Sequence, residues 1–368
     1  MAGIYVHVPF CKSKCTYCDF ASYPKEVGKA ELYFACLYKE MKARAAQYPD
    51  MIFDTVYFGG GTPSFVDEKY ITGAMRLIRE KFYLSDDAEI TIEINPGTLT
   101  EKKLAAYKSA GINRFSLGLQ SADDAMLARL NRIHTLQDYY AAAKLLEGEN
   151  FSADALIGLF DQTEKDVENT LSAIIESGAS HVSVYALKAE EGTPIFSNYL
   201  NGDLPDEDAV ADLYEFAVKY LEKREYYRYE VSNFAKRGRE SRHNLNYWRR
   251  GEYLGFGVAA SSHVANRRFT NTEIIDDYVK CIISGHYAEI SSDEISGDEI
   301  TAEYVMLALR TAEGIDAHDF KARFGVDFTE RYADVLRRHG RYLDITDDRI
   351  RIKPEYLYVQ NSIIIEFM

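Results

Sequence analysis

Basic residues are the minority charge in this chain: 43 Lys and Arg stand against 58 Asp and Glu, a formal net of -15 with a pI near 5.1. That balance opposes non-specific attraction to nucleic acid or anionic lipid and favours solubility, though it leaves room for a local basic patch. Apolar runs of transmembrane length are missing, as are a signal peptide and a lipidation signal. The expectation is a cytoplasmic protein with no transmembrane segment and no nucleic-acid partner, while peripheral contact with a membrane stays open. Phosphate-loop chemistry is also unsupported. The run Gly59-Gly60-Gly61 has neither the helix-opening G-x-G-x-x-G form nor the lysine of a phosphate loop. Only five cysteines and one tryptophan occur in 368 residues.

Three of those cysteines fall within eight residues, at Cys11, Cys15 and Cys18. Thiolates spaced C-x3-C-x2-C on one tight loop can converge on one inorganic centre, and soft sulfur ligands select zinc or an iron-sulfur cluster. A structural zinc site normally closes with a fourth Cys or His, and none follows at finger-like spacing. The favoured reading is a 4Fe-4S cluster with one iron left open; zinc or a redox thiol set is the alternative. Such thiols need a reducing compartment. Cys36 and Cys281 read as isolated small core residues.

With 46% hydrophobic residues, a chain of this length has material for one large α/β domain and a smaller one. Apolar strand runs at Ile4 to Val8, Thr55 to Phe58, Ile90 to Ile94, Arg114 to Leu119, Ala153 to Leu159 and His181 to Leu187 alternate with helical patterns. The helices fall near residues 30–48, 68–82, 101–110, 136–146 and 163–177, and the alternation builds a parallel sheet through crossover helices. A helix over 207–222 and a further run, Tyr229 to Asn233, follow. The unusual polar and glycine residues cluster just beyond strand ends: Cys11 after the first, Gly59 to Thr62 after the second, Glu93 and Asn95 at the third, Gln120 at the fourth. In β/α barrels that edge carries the chemistry. The expected fold class is α/β, a partial (β/α)6 barrel, with a flat doubly wound sheet as the other arrangement the alternation permits.

Period two in the first strand places Tyr5, His7 and Pro9 on one face. Glu93 shares its strand face with Thr91 and Asn95, and a carboxylate among aliphatics is costly unless paired. A cationic ligand would supply the partner, as would an Arg or Lys elsewhere in the barrel. The glycine run allows a backbone to approach a ligand closely. His243 stands in Ser241-Arg242-His243-Asn244-Leu245-Asn246-Tyr247-Trp248, beside the single tryptophan. Imidazole is a common ligand to haem iron and aromatic rings suit a flat macrocycle, whereas a lone histidine is by default structural or exposed.

The cysteine spacing with an aromatic before the third cysteine resembles the radical S-adenosylmethionine (radical SAM) superfamily. Gly3-Ile4-Tyr5-Val6-His7-Val8-Pro9-Phe10-Cys11, Gly59-Gly60-Gly61-Thr62-Pro63 and the His243 to Trp248 motif together resemble its HemW-type branch, haem chaperones related to oxygen-independent coproporphyrinogen III oxidase. The likeness covers nearly the whole chain. It implies a cluster on Cys11, Cys15 and Cys18 whose open iron takes S-adenosylmethionine, and an electron that cleaves it to a 5'-deoxyadenosyl radical. It also implies cofactor contacts from Tyr5, Gly60, Gly61, Thr62, Glu93, Gln120, Arg132 and Asp154, with His7 near the cluster, and haem contact at His243. Haem, a haem-receiving client protein and an electron donor are the implied partners. Two departures stand out: Gly158-Leu159-Phe160-Asp161-Gln162-Thr163 where relatives usually read Gly-Leu-Pro-Gly-Gln-Thr, and Val258-Ala259-Ala260-Ser261-Ser262-His263 where they often place Gly-Ala-His.

The expected division is a barrel over residues 1–240, a connecting segment with the histidine motif over 241–294, and a small C-terminal domain over 295–368. In the last, helices near 300–310, 317–324 and 328–338 precede strands near 342–345 and 350–352, which resembles a winged helix. From Gly297 onward 14 Asp and Glu outnumber 10 Lys and Arg, so a lid or haem-handling role is preferred over DNA binding. A final helix over 356–367 is expected to pack on the body. Three functions remain: a haem-trafficking chaperone, an oxidase decarboxylating coproporphyrinogen III, and a radical enzyme on an unrelated substrate. The oxidase branch has an N-terminal arm before the cluster and a further cysteine two residues after the third ligand; here the start at Met1 leaves almost no arm and Phe20 takes that position, which favours the chaperone.

Overall fold

The computed structural model describes residues 2–368. Strands β1 (Ala2–Val8), β2 (Ile52–Gly60), β3 (Tyr83–Ile94), β4 (Arg114–Gln120), β5 (Phe151–Ile157) and β6 (His181–Ala186) pair in sequence order, each parallel to the next. Helices α1 (Ala30–Gln47), α2 (Glu68–Lys81), α3 (Glu101–Ser109), α4 (Asp124–Arg129), α5 (Leu136–Leu145) and α6 (Glu164–Glu176) lie in the crossovers. Their starts are written in the sequence: Thr135 and Thr163 each form a reciprocal capping box with an Asp three residues on, worth roughly 1 kcal/mol apiece. Ile4, Val6 and Val8 of β1 are fully buried in one core with Tyr33, Phe34, Leu37 and Met41 of α1.

The sheet curves. Tyr57, Glu93, Ser116, Asp154 and Ser183, from five successive strands, border one cavity, whereas a flat sheet would spread them over about 19 Å. This is an open barrel, since the strand order is linear and both edges are extended. Past α7 (Phe196–Leu200) and α8 (Glu207–Glu222), β7 (Tyr227–Arg228) and β8 (Asn233–Ala235) continue the β6 edge antiparallel. The expected run at 229–233 is mostly the link between these two strands.

The segment 241–294 is more than a connection. It supplies α9 (Arg242–Trp248), then β9 (Glu252–Phe256) parallel to β1, and the antiparallel β10 (Ser261–Val264), β11 (Arg267–Asn271) and β12 (Glu289–Glu294), with α10 (Ile275–Ile283) between the last two. All twelve strands form one sheet. Glu40 of α1 ties the extension down by accepting from Gly257 N, Asn271 Nδ2 and Tyr278 Oη, at 2.9, 2.7 and 2.6 Å.

The C-terminal domain contains α11 (Asp298–Ala308), β13 (Ile315–Asp316), α12 (Ala317–Phe324), α13 (Phe328–Arg331), α14 (Ala333–His339), β14 (Leu343–Ile345) and β15 (Arg349–Ile352). The three strands form a small antiparallel sheet in the order β13, β15, β14, a winged-helix-like α+β unit. Two expectations change. The helix expected over 328–338 breaks at Tyr332, which leaves helical geometry (φ -108°, ψ 23°). The final helix shrinks to α15 (Asn361–Ile364) between 3-10 turns. Ile363, Ile364 and Phe367 enter the C-terminal core rather than packing on the barrel. Among the described residues no helix is long and apolar enough to cross a membrane.

Candidate functional site

The main cavity, about 480 Å³, opens where β2 to β6 end, and all three clustered cysteines border it. Cys11 follows β1 directly. Thr62 Oγ1 donates to Cys11 Sγ at 3.4 Å, Arg132 Nη1 donates to Cys15 Sγ at 3.6 Å, and Ser22 Oγ lies 3.7 Å from Cys18 Sγ. The donors on Cys11 and Cys15 suit thiolates, and the Ser22 hydroxyl can donate to Cys18 in the same way. Among the described residues no three His, Cys, Asp or Glu side chains are gathered closely enough to hold a single ion; a multi-iron cluster, with each thiolate on its own iron, needs sulfurs spread around a shared volume. Burial pushes the Cys11 thiol up to about 11, so a bound cation is what would hold it as thiolate.

Glu93 stands in the cavity wall, and among the described residues no cationic side chain bonds it. Its carboxylate accepts from Tyr57 Oη at 2.9 Å and from Gly60 N at 3.1 Å, and among the described residues the alternative partner, an Arg or Lys of the barrel, does not bond it. Burial raises its pKa to about 7, despite those two donors. Asp154 faces the same space from β5; burial raises its pKa too, against the pull of Ser183, Arg114 and Arg132. Arg132 donates from Nη2 to Gly118 O at 2.9 Å and Asn95 Oδ1 at 3.2 Å, while its buried Nε has no partner. Gln120 ends β4 at φ +73°, a strained conformation that a non-glycine residue holds only where its surroundings fix it.

Gly60, Gly61 and Thr62 border the cavity as expected, but the glycines answer first to the protein itself. A Cβ on Gly61 would lie 2.9 Å from backbone atoms of Val8, Pro9 and Phe10, and one on Gly60 2.5 Å from the His7 ring. Close approach here joins the β2 loop to the cluster loop. His7 supports that joint: its Nε2 meets Ala21 O at 2.9 Å and its Nδ1 meets Tyr5 Oη at 3.0 Å.

Two assignments need correction. Tyr5 does not border the cysteine cavity; its hydroxyl is taken by His7 and its ring stacks on Tyr57 at 6.3 Å, so it backs the wall instead of touching the ligand space. His243 is neither exposed nor free to ligate. It starts α9 inside the barrel, 1% exposed, with Nδ1 2.7 Å from Thr55 Oγ1 and Nε2 2.8 Å from Tyr247 Oη. Both ring nitrogens are bonded, and burial drives its pKa down to about 3. Axial ligation of haem would require breaking one of these bonds in the core. The imidazole stacks on Tyr57, centroids 5.1 Å apart, and so stands behind the hydroxyl that holds Glu93.

Sequence reasoning missed Tyr57, Arg114 and His181. Arg114, 3% exposed at the start of β4, lies 3.9 Å from Glu89, whose carboxylate accepts from the main-chain N–H of Arg242 and of His243 at 3.1 and 3.0 Å. That carboxylate completes the N-terminus of α9. An arginine opening a strand in Arg114-Phe115-Ser116-Leu117 was the available signal.

A radical SAM superfamily pattern matches residues 5–174, and a HemN C-terminal domain pattern matches residues 295–355. The heme chaperone HemW of Bacillus subtilis is 32% identical over 343 residues, which cover 92% of this chain and 90% of that one. The heme chaperone HemW of Escherichia coli is 34% identical, with 91% and 88% covered. The structure of Escherichia coli coproporphyrinogen III oxidase, HemN, superposes with a TM-score of 0.87 over 100% of this chain and 89% of that one; at 21% identity this is a likeness of fold. Identities above 30% through about nine-tenths of both chains place this protein in the HemW family of the radical SAM superfamily.

Proposed function

We propose that the protein is a haem chaperone that holds a 4Fe-4S cluster on Cys11, Cys15 and Cys18, takes S-adenosylmethionine, and delivers haem to client proteins. One observation carries the cofactor reading: three cysteine sulfurs and a half-buried carboxylate, Glu93, that has no side-chain cation on it among the described residues border the same cavity. S-adenosylmethionine is cationic at its sulfonium and amino groups and anionic at its carboxylate. Glu93 is suited to the amino group, the unpaired Arg132 Nε to the carboxylate, and Gly60, Gly61, Thr62, Gln120 and Asp154 to the rest. When bound, the cluster supplies one-electron reduction. The chain's own part is to orient the ligand, keep the thiolates stabilised by hydrogen bonds, and exclude water with Tyr57 and Ile94.

Haem as cargo is supported by the similarity to heme chaperones of two bacteria. The acidic C-terminal domain gives no support to nucleic-acid binding, and a cytoplasmic, reducing location suits three thiols that border an open cavity. Reconstituted protein should bind ferric haem and S-adenosylmethionine and should form no protoporphyrinogen from coproporphyrinogen III; absence of haem binding would overturn the reading.

A further inference from the structure

The inward face of the last parallel strands is polar, where a barrel interior is usually packed with branched apolar residues. Along β4 every second residue from Arg114 to Gln120 borders the main cavity, and Ser152 of β5 and Ser183 of β6 continue that surface. The opposite half of the lumen is filled, since Tyr5 and His243 both stack on Tyr57 there. Gly118, whose carbonyl holds Arg132 beside Cys15, is four residues along β4 from Arg114, about 13 Å. The cavity thus runs well past the cysteines and ends on a guanidinium.

Arg114 is 3% exposed, and among the described residues its side chain makes no hydrogen bond. The carboxylate paired with it, Glu89, stands 3.9 Å from Nε, and both Glu89 oxygens already accept a main-chain N–H, from Arg242 and from His243. A buried cation without close, directional partners is costly, and an apolar side chain of similar volume would be cheaper there. The side-chain amide of Asn244 and the hydroxyl of Ser116 border the same end of the cavity, likewise without a hydrogen bond among the described residues. His181 beside them adds no charge: its Nε2 meets Tyr229 Oη at 2.8 Å, and burial together with Arg114 drives its pKa well below the ordinary value. Tyr185 of β6, 39% exposed, presents its ring to the cavity from above.

We propose that this end of the lumen is a second ligand site, apart from the cluster and from S-adenosylmethionine, which takes a small organic carboxylate on Arg114. The guanidinium offers a fork of donors matched to a carboxylate, Asn244 and Ser116 can donate to its outer oxygens, and the Tyr185 ring can cover its carbon skeleton. Glu93 and Asp154 repel an anion from the part of the cavity suited to S-adenosylmethionine, which leaves Arg114 as the anchor. The whole cavity is about 480 Å³ and is shared with the cofactor, so the ligand is small. The site depends neither on haem nor on radical chemistry.

The test titrates full-length, cluster-loaded protein calorimetrically with formate, succinate and benzoate, at constant ionic strength set by sodium chloride. Wild type should bind at least one of these carboxylates; Arg114→Met should weaken that binding at least ~10-fold, and Asn244→Leu should weaken it while S-adenosylmethionine affinity stays unchanged. Urea unfolding separates an anchor from a structural residue. In ligand-free protein Arg114→Met should raise the midpoint, because it removes a buried charge without removing a hydrogen bond, and the carboxylate should raise the midpoint of wild type but not of the variant. If Arg114→Met does not fold, Arg114→Lys, which keeps the charge and loses the fork, carries the binding comparison together with Asn244→Leu. Failure of wild type to bind any of the three, or displacement by chloride at equal concentration, would overturn the site. So would a lowered midpoint for Arg114→Met with carboxylate binding unchanged, which would make Arg114 a structural partner of Glu89. Carboxylate binding by wild type that takes no S-adenosylmethionine would leave this site standing and the cofactor reading refuted.

Discussion

Replacing Glu93 with Gln should make the protein more stable in neutral and alkaline solution, and less able to take its cofactor. The carboxyl is raised from 4.5 to about 7, chiefly by burial, and that difference corresponds to roughly 3 kcal/mol. Below pH 4.5 the group is neutral in folded and unfolded chains alike and contributes nothing. As pH rises the unfolded chain ionises first, so the folded state loses stability until pH passes about 7, after which the penalty is constant. Gln keeps the shape and one oxygen for Gly60 N or Tyr57 Oη without the charge. Urea unfolding of cluster-free wild type and Glu93→Gln should therefore show a stability difference that shifts by roughly 3 kcal/mol in the variant's favour between about pH 4.5 and pH 8. Subtracting the two curves cancels the buried histidines, which titrate in both proteins. In cluster-loaded protein the same substitution should lower S-adenosylmethionine affinity, since the carboxylate is the cavity's candidate partner for the ligand's amino group. A stability difference that does not change with pH, together with unchanged cofactor affinity, would refute both the buried-charge argument and the assignment of Glu93.

Replacing any of Cys11, Cys15 and Cys18 with Ala should abolish the absorption and paramagnetic signal of a reconstituted 4Fe-4S cluster, whereas Cys36→Ala and Cys281→Ala should retain both; zinc in anaerobic preparations would contradict this. His243→Ala removes a fully buried ring and leaves Thr55 Oγ1 and Tyr247 Oη without it, so it should destabilise by roughly 2–4 kcal/mol in denaturant unfolding. Its folded pKa of about 3 lies below the ordinary 6.5, so its contribution is present above pH 6.5 and is lost as the solution is acidified toward pH 3. Gly61→Ala, whose Cβ would meet three backbone atoms at 2.9 Å, should loosen the joint between the β2 loop and the cysteine loop and lower cluster occupancy, measured as iron per chain.

The six parallel strands and the crossover helices were legible because each alternates with capped, amphipathic helices, and strand ends carried the polar residues. Legible for the same reason was the gathering of the cysteines, Glu93, Arg132 and Asp154, all near strand ends that a barrel brings together. Tyr5 and His243 were misplaced for a physical reason that spacing cannot express: a polar side chain aimed into a barrel can be satisfied by another residue of the wall. His7 takes the Tyr5 hydroxyl, and Thr55 and Tyr247 take the His243 ring. The extension of the sheet by residues 252–294 was hidden because its strands are short and β9 pairs with β1, some 250 residues earlier in the chain. Arg114 escaped notice because a single arginine at a strand start gives no period to read.

The central claim, that this chain carries haem and does not transform a porphyrin, is tested most directly by loading the cluster-containing protein with ferric haem and mixing it with a haem-free acceptor protein, while a parallel sample receives coproporphyrinogen III, S-adenosylmethionine and a reductant. The account predicts transfer of the Soret signal to the acceptor and no decarboxylated product; accumulation of protoporphyrinogen, with no haem passed on, would contradict it.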